Sequence, residues 1–384
     1  MSVKKRRGRC SMKCEVLNRG ENFDRTVLVA DVGGTNVNFG LMGFCEGDCT
    51  IIAKGKEKST AVSNFTESIA RFVGRLMETG LHIAPERCCI AAAGPVSENS
   101  CKLTNQNWHI DGGEIQDFLG METTVINDFI AVSRGIPFLD HASPGSIVPV
   151  PHSDGYTGCP DPSGVKLVIG PGTGLGVSYM VPGGGSYIPF PSEGGHSDFA
   201  AFDEETTRLK TFVTNNTLVK PGIEPFLSGP GIVNIFKFLN RARNFPADEG
   251  YAAVMAAPDG EKAELISAYG EKSAVCRETM RLFARILGHV AGSFSAIFLP
   301  SGGVYIAGGI AAKNMDCIIG RGHFMACFEQ SYNRAMREFL KTAPVYIVTD
   351  YSVSLYGAAA AAVEYGVGLN PRPHIPQERG RSVQ

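Results

Sequence analysis

Residues 28–42 read LVADVGGTNVNFGLM. An apolar run reaches Asp31, turns through Gly33, Gly34 and Thr35, and resumes at Val37 with an imperfect alternation of apolar and polar positions. This pattern predicts a strand, a tight glycine turn and an antiparallel return. A carboxylate at that strand end has two readings, a cap on the turn or a group that meets the metal of a nucleotide. The same plan recurs at 165–181, where an apolar strand, the turn GPGTGLG (170–176) and a second apolar strand follow one another. Gly34-Thr35 aligns with Gly172-Thr173, so the chain carries an internal duplication of strand, Gly-Thr turn and strand. A third glycine turn, Gly308-Gly309, follows the apolar run 304–307. Glycine has no Cβ, so backbone amides at such turns can crowd around an anion. Three of them at strand ends point to a nucleotide. No G-x-x-x-x-G-K-[ST] loop occurs, and the first two turns return as strands instead of opening a helix in the dinucleotide-binding manner.

Around these turns the chain reads as α/β. Residues 51–53 predict a third strand of the first antiparallel sheet. In 64–79, Phe65, Ile69, Phe72 or Val73, and Leu76 recur at helical spacing behind Asn64 as N-cap. Buried strands are expected at 88–93 and 123–126, the second ending at Asn127-Asp128. The proline-rich stretch 139–163 lacks periodicity and reads as the passage into a second domain. Helices are expected at 229–240, 276–298 and 355–365. The domain reading is a basic extension (1–24), a small α/β domain (25–137 with helix 355–369), a large α/β domain (138–354) and a tail (370–384).

The chain of 384 residues is 43% apolar and 19% charged with a net charge of -2. That is an ordinary soluble composition, and it makes neither nucleic acid nor an anionic membrane the expected partner. No apolar run approaches the ~20 residues of a membrane span. Eleven scattered cysteines contain no C-x-x-C pair, which argues against a structural zinc site and for reduced thiols in the cytoplasm. The basic start MSVKKRRGRC is not followed by an apolar segment, so a secretory signal is not expected and 1–24 reads as a polar, solvated extension.

Carboxylates gather at strand ends and in glycine-rich loops. Asp128 follows the strand 123–126, where it is either a helix N-cap or a general base. Glu193 and His196 share SEGGHSDF, where they make a loop hydrogen bond or reach one polar ligand together; Glu224 precedes PFLSGPG. No third residue at suitable spacing turns Glu193 and His196 into a metal site.

In order, the chain contains DVGGTN, LTNQNW, INDF, GPGTGLG, EGGHSDF, LSGPG and IAGGIA. This ordered set resembles the bacterial-type glucokinases of the sugar kinase and actin superfamily, from about residue 27 to residue 366. The related repressor and open-reading-frame kinase group usually carries a cysteine-rich zinc loop, which this chain lacks. The resemblance implies a two-domain ribonuclease-H-like fold of the actin/hexokinase type with a cleft between domains, which closes on the sugar about hinges near 134–138 and 352–355. It implies transfer of a phosphoryl group from MgATP to the 6-hydroxyl of glucose. Asp128 would be the catalytic base. Asn105, Asn127, Asp128 itself, Glu193, His196 and Glu224 would bind the sugar. Gly33, Gly34, Thr35 and Asn36 would form one phosphate loop, and Gly172, Thr173 and Gly174 the other. Gly308 and Gly309 would lie against adenosine, and Asp31 would meet Mg²⁺ through water. It also favours a homodimer. The added segments at 139–163 and 243–262 depart from the compact pattern without touching the motifs. Competing expectations are a kinase for another hexose or an amino sugar, and a non-catalytic sugar or nucleotide sensor on the same fold.

Overall fold

A computed structural model describes residues 12–364 except 20–21, 35, 62, 82–83, 104–106, 140–144, 185 and 218–219. The basic run at 4–9 and the 370–384 tail lie outside the described residues. The chain divides into two compact units: one runs to Ile126 and is taken up again at Ala358, and the other is Asn127–Gly357.

The first unit is built on the strands β1 (Lys13–Val16), β2 (Arg25–Val32), β3 (Asn36–Cys45) and β4 (Asp48–Lys58), the helix α1 (Phe65–Glu78) and strand β5 (Arg87–Ala92). Strands β6 (Val96–Ser97), β7 (Ser100–Lys102) and β8 (His109–Asp111) form a small separate sheet, followed by helix α2 (Gly112–Leu119) and strand β9 (Glu122–Asn127). The main sheet runs β1-β4-β3-β2-β5-β9, with β2 antiparallel to β3 and parallel to β5. Asn64 caps α1 by accepting the Glu67 N–H at 2.9 Å. The predicted stripe Phe65, Ile69, Phe72 and Leu76 is buried, and Val73 is only partly so. Phe72 stacks on Phe39 at 5.0 Å and lies over Gly55, where a Cβ would meet its ring.

One expectation is corrected here. Residues 13–16 are not a solvated extension: they pair with β4 as an edge strand, Lys13 opposite Lys56 and Val16 opposite Ala53. Cys14 and Val16 are half-buried while Lys13 and Glu15 are exposed, and Met12 is buried. Four residues of alternation are too few to stand out in a polar segment, and the open edge of β4 supplies what the local pattern lacks.

The second unit opens with helix α3 (Asp128–Gly135). It continues with strands β10 (Ile147–Pro149), β11 (Lys166–Pro171), β12 (Leu175–Gly183) and β13 (Ser186–Ser192), and helices α4 (Glu204–Thr217), α5 (Gly229–Ala242), α6 (Glu249–Ala256), α7 (Asp259–Ala268) and α8 (Ala274–Phe298). Strand β14 (Val304–Ile306), the short helices α9 (Gly309–Lys313), α10 (Met315–Ile319), α11 (His323–Phe328) and α12 (Arg334–Leu340), and strand β15 (Val345–Val348) complete it, and α13 (Val353–Glu364) leads back to the first unit. Its sheet runs β10-β15-β14-β11-β12-β13. The order β13-β12-β11-β14-β15 repeats β4-β3-β2-β5-β9, so the duplication read from two Gly-Thr turns extends to five strands of each sheet. The buried stripe of α8 packs against α11 so closely that a Cβ on Gly288 would overlap the Phe324 carbonyl.

The unit boundaries fall at 126/127 and 357/358, earlier and later than the expected 137/138 and 354/355. The reason is α3, which packs on β12 and β13. Gly357 lies against Ala131 and Gly135 against Val353, both so close that a Cβ would overlap a backbone carbonyl. The 139–163 stretch is also not wholly irregular, because β10 pairs antiparallel with β15.

On one face of the second sheet the Lys166 ammonium is buried. It donates to the Tyr305 hydroxyl at 3.0 Å and the Gly302 carbonyl at 3.2 Å, and lies 4.8 Å from the Tyr187 ring centre. Burial lowers its pKa from 10.5 to about 8. Between those values the unfolded chain binds the extra proton, so this group's contribution to stability rises with pH; below about 8 the folded state bears the full cost of a buried charge. Lys166→Met is therefore expected to raise the Tm at pH 7 by roughly 2–5 °C. The gain should shrink as the pH approaches 10. A calorimetric gain that stays constant with pH, or a loss at pH 7, would contradict this.

Candidate active site

The second unit starts where strand β9 of the first passes directly into α3. Asn127 has extended backbone and its Oδ1 accepts from the Phe129 and Ile130 N–H groups at 2.9 and 3.2 Å, so Asn127 is the N-cap. Asp128, half-buried, is the first residue of the helix, and its Oδ1 accepts from Phe129 N–H at 2.9 Å. Of the two readings of Asp128, the cap is thus filled by its neighbour. The positive end of the helix favours a carboxylate at that place.

The GPGTGLG turn closes over the pairs Gly170–Gly176 and Pro171–Leu175. Gly172 N–H donates to Gly174 O at 2.8 Å, and Thr173 is exposed at the tip. Four other segments are fastened to this turn. The Phe129 ring lies on Gly170 and Gly176, where a Cβ on either would overlap it. The Glu224 Oε2 accepts from Leu175 N–H at 2.9 Å, and a Cβ on Gly174 would stand 2.5 Å from that oxygen. The N-terminus of α5, capped by Ser228, reaches the turn through Gly229 N–H to Gly172 O at 2.8 Å. Gly308, at φ +91°, turns β14 into α9 with its Cα beside the Pro171 carbonyl, a conformation and a clearance that suit glycine.

The EGGH segment is a single 3-10 turn at Gly194–His196. Glu224 N–H donates to Gly195 O at 2.9 Å and Ile223 N–H to Ser197 O at 2.9 Å, which ties this turn to the segment carrying Glu224. His196 Nε2 and Glu193 Oε2 stand 3.5 Å apart with side chains 68% and 89% exposed. A pair so exposed contributes little to stability, and it presents a donor and acceptors at the surface. Asp128, Gly172 to Gly174, Glu193, His196, Glu224, Gly308 and Gly309 are therefore all carried by one unit. The expectation that Asn127 and Asp128 belong to the other domain is corrected by the seating of α3.

In the first unit Asp31 lies opposite Asn38 in the β2–β3 register, and Asn38 Nδ2 donates to Asp31 Oδ2 at 3.4 Å. Gly33 N–H donates to Asn36 O at 3.0 Å, and Ser59 Oγ donates to Gly33 O at 3.2 Å, which holds the turn that also contains Gly34. Thr35 and Asn105 lie outside the described residues. Phe129 and the Leu175 amide were not singled out from sequence. The usable signal was the pair of glycines flanking the turn, whose partner is an aromatic ring about forty residues earlier.

A family model described as Glucokinase matches residues 28–365. A glucokinase of Nostoc punctiforme is 34% identical over 352 residues, covering 88% of this chain and 98% of its own length. The crystal structure of a glucokinase from an Antarctic psychrotroph shares the fold with a TM-score of 0.73 at 27% identity, covering 89% of this chain and 100% of that one. A ROK family glucokinase from Streptomyces griseus, solved with glucose and AMPPNP, shares the fold at a TM-score of 0.60 and 20% identity, over 88% of this chain and 99% of its own. The architecture is the two-domain actin/hexokinase-like fold of these enzymes. The chain belongs to the glucokinase family and is an ATP-dependent glucose kinase.

Proposed function

We propose that the chain moves the γ-phosphoryl group of ATP onto the 6-hydroxyl of glucose, with Asp128 taking the hydroxyl proton. The observation that supports this most is the position of Asp128: first in α3, beside Phe129, whose ring rests on the flanks of the GPGTGLG turn. A sugar hydroxyl is a poor nucleophile until a carboxylate accepts its proton as the new O–P bond forms. The bond from phosphorus to the ADP oxygen breaks in the same transfer, and the proton ends on Asp128. Glu193 accepts from sugar hydroxyls and His196 donates to them. Glu224 holds the Leu175 amide through Oε2 and keeps Oε1 for the sugar. Asn105 and Asn127 complete the sugar contacts. The Gly172–Gly174 turn meets phosphate through the backbone amides of Thr173 and Gly174, and Gly308 and Gly309 meet adenosine. In the first unit Gly33, Gly34, Thr35 and Asn36 meet phosphate.

The phosphates of ATP call for a neutralising cation, which this reading takes to be Mg²⁺. Among the described residues no cluster of three or more His, Cys, Asp or Glu forms a metal cage. Asp31 as a single carboxylate fits Mg²⁺, which keeps several waters and is otherwise held by substrate phosphates. Asp31 would hold it through water, and the ion would neutralise phosphate charge. The scattered cysteines, with no C-x-x-C pair among them, support the reading of a reducing cytoplasmic compartment. No helix of the described residues is long and apolar enough to cross a membrane. A homodimer is the assembly this reading takes from the family pattern.

Purified protein with ATP and Mg²⁺ is expected to release ADP with glucose, and to favour glucose over mannose, fructose and glucosamine by at least about tenfold in kcat/KM, because a mismatched hydroxyl leaves a polar group of the site unpaired. Equal preference for another of these sugars would move the assignment to a different hexose or an amino sugar. ADP release that no sugar stimulates would overturn the reading.

A further inference from the structure

We infer that Phe129 is a positioning residue for phosphoryl transfer, acting through the glycine pair on which its ring is seated; this rests on the reading of Asp128 as the base. Gly170 and Gly176 face each other across the β11–β12 hairpin, one pair below the Pro171–Leu175 pair that closes the turn. Both direct their missing Cβ at the same ring: on Gly170 it would overlap Cε2 of Phe129, and on Gly176 Cδ2. These glycines serve the ring and not the approach of a ligand. Their function is to make a flat seat at the base of the 172–174 turn.

The seat is reinforced along α3. Ser133 Oγ donates to the Phe129 carbonyl at 2.9 Å and is hydrogen-bonded to Ser178 Oγ, two residues beyond Gly176 on β12. Phe129 and Ser133, one helical turn apart, thus rest on Gly176 and Ser178 of the same strand face. Phe129 adjoins Asp128, so the thickness of the ring sets how far the Asp128 carboxylate stands from the turn proposed to hold the transferred phosphate. Protein interiors are close-packed and transmit such spacing. A misplacement of about 1 Å at a reacting group costs up to ~10²-fold in rate.

The test uses the full chain, with kcat, KM for glucose and KM for ATP measured for Phe129→Ala, Phe129→Leu, Gly176→Ala, the double variant Phe129→Ala/Gly176→Ala, and Asp128→Asn. Phe129→Ala and Gly176→Ala are each expected to lower kcat by roughly 10–100-fold, with both KM values within about threefold. Phe129→Leu is expected to keep most of the turnover, since a large apolar side chain still fills the seat. Removing the ring also removes the obstacle to a methyl at 176, so the double variant should be no slower than the slower single one. A double variant whose losses multiply, or a Gly176→Ala variant that raises the ATP KM in both backgrounds, would show that the glycine serves the nucleotide and would overturn the inference. So would Phe129→Ala turning over within twofold of the parent while Asp128→Asn is inactive, which leaves the base intact. Retained turnover in Asp128→Asn would instead remove the base assignment and this inference with it. If Phe129→Ala fails to fold, the kcat of Gly176→Ala alone and in the Phe129→Leu background decides: unchanged turnover overturns the inference.

Discussion

Replacing Asp128 with alanine is expected to lower turnover by about 10²–10⁴-fold, the range a positioned general base contributes, while glucose binding stays within a few-fold of the parent. The two readouts separate because Asp128 acts on a proton that is transferred only during reaction, whereas the sugar is held by several other groups. Asp128→Asn sharpens the test: it keeps the size, and its carbonyl oxygen can still accept from the Phe129 amide as Oδ1 does at 2.9 Å, but it takes up no proton. Helix stability changes little in either variant, because the N-cap hydrogen bonds come from Asn127, and a charge in the first helical turn contributes only about 0.3–1 kcal/mol. Steady-state kinetics and calorimetric glucose binding on the same preparations check this. Near-parent turnover in both variants would make Asp128 a helix-terminus residue and place the base elsewhere.

The second large effect is on stability. Gly357→Ala is expected to destabilise the protein by about 2–4 kcal/mol and to lower the Tm by roughly 5–10 °C. Gly357 is buried in α13, and a Cβ there would overlap the carbonyl oxygen of Ala131 and press on the amide nitrogen of Gly135. Both are backbone atoms of α3, so no flexible side chain can yield. Helix propensity alone gives the opposite sign, since alanine in place of a helical glycine gains about 1 kcal/mol. The direction of the change therefore decides between local preference and the α3–α13 contact. Thermal unfolding measured with and without glucose would read it. An unchanged or raised Tm would mean that α3 and α13 do not pack as closely as described. Because α3 carries Asp128, the variant is also expected to lose turnover at temperatures where it remains folded.

Much of the scaffold was legible in the sequence. The strand–turn–strand plan at 28–42 and 165–181 needs only local information, an apolar run broken by glycine, and both form as antiparallel hairpins. Asn64 as the cap of α1 is also local. The edges were less legible. β1 and β10 have four and three residues, too few for alternation to show, and β13 contains Pro189 and Pro191, which a strand pattern disfavours. β13 and β1 stand at the outer edges of their sheets, and there proline and short length are tolerated. Of the short helices between β14 and β15, α10, α11 and α12 lacked the length over which a helical stripe becomes visible.

From its order of residues alone, this chain specified its hairpins, its repeated plan and the residue types able to handle a sugar and a nucleotide. These follow from backbone preference and from periodicity over ten to twenty residues. Sequence grouped Asp128 with the first unit, and it left open what Glu224 touches and why glycine flanks the second turn. Those answers depend on contacts between residues 41 to 226 positions apart, such as Phe129 on Gly170, Glu224 on the Leu175 amide and Gly357 on Ala131. The free energy of such contacts resides in two surfaces meeting, and neither surface alone reports its partner. Asp31, near the end of β2, remains the clearest local signal. Asp128 acquires its place through the ring of the next residue, seated on two glycines.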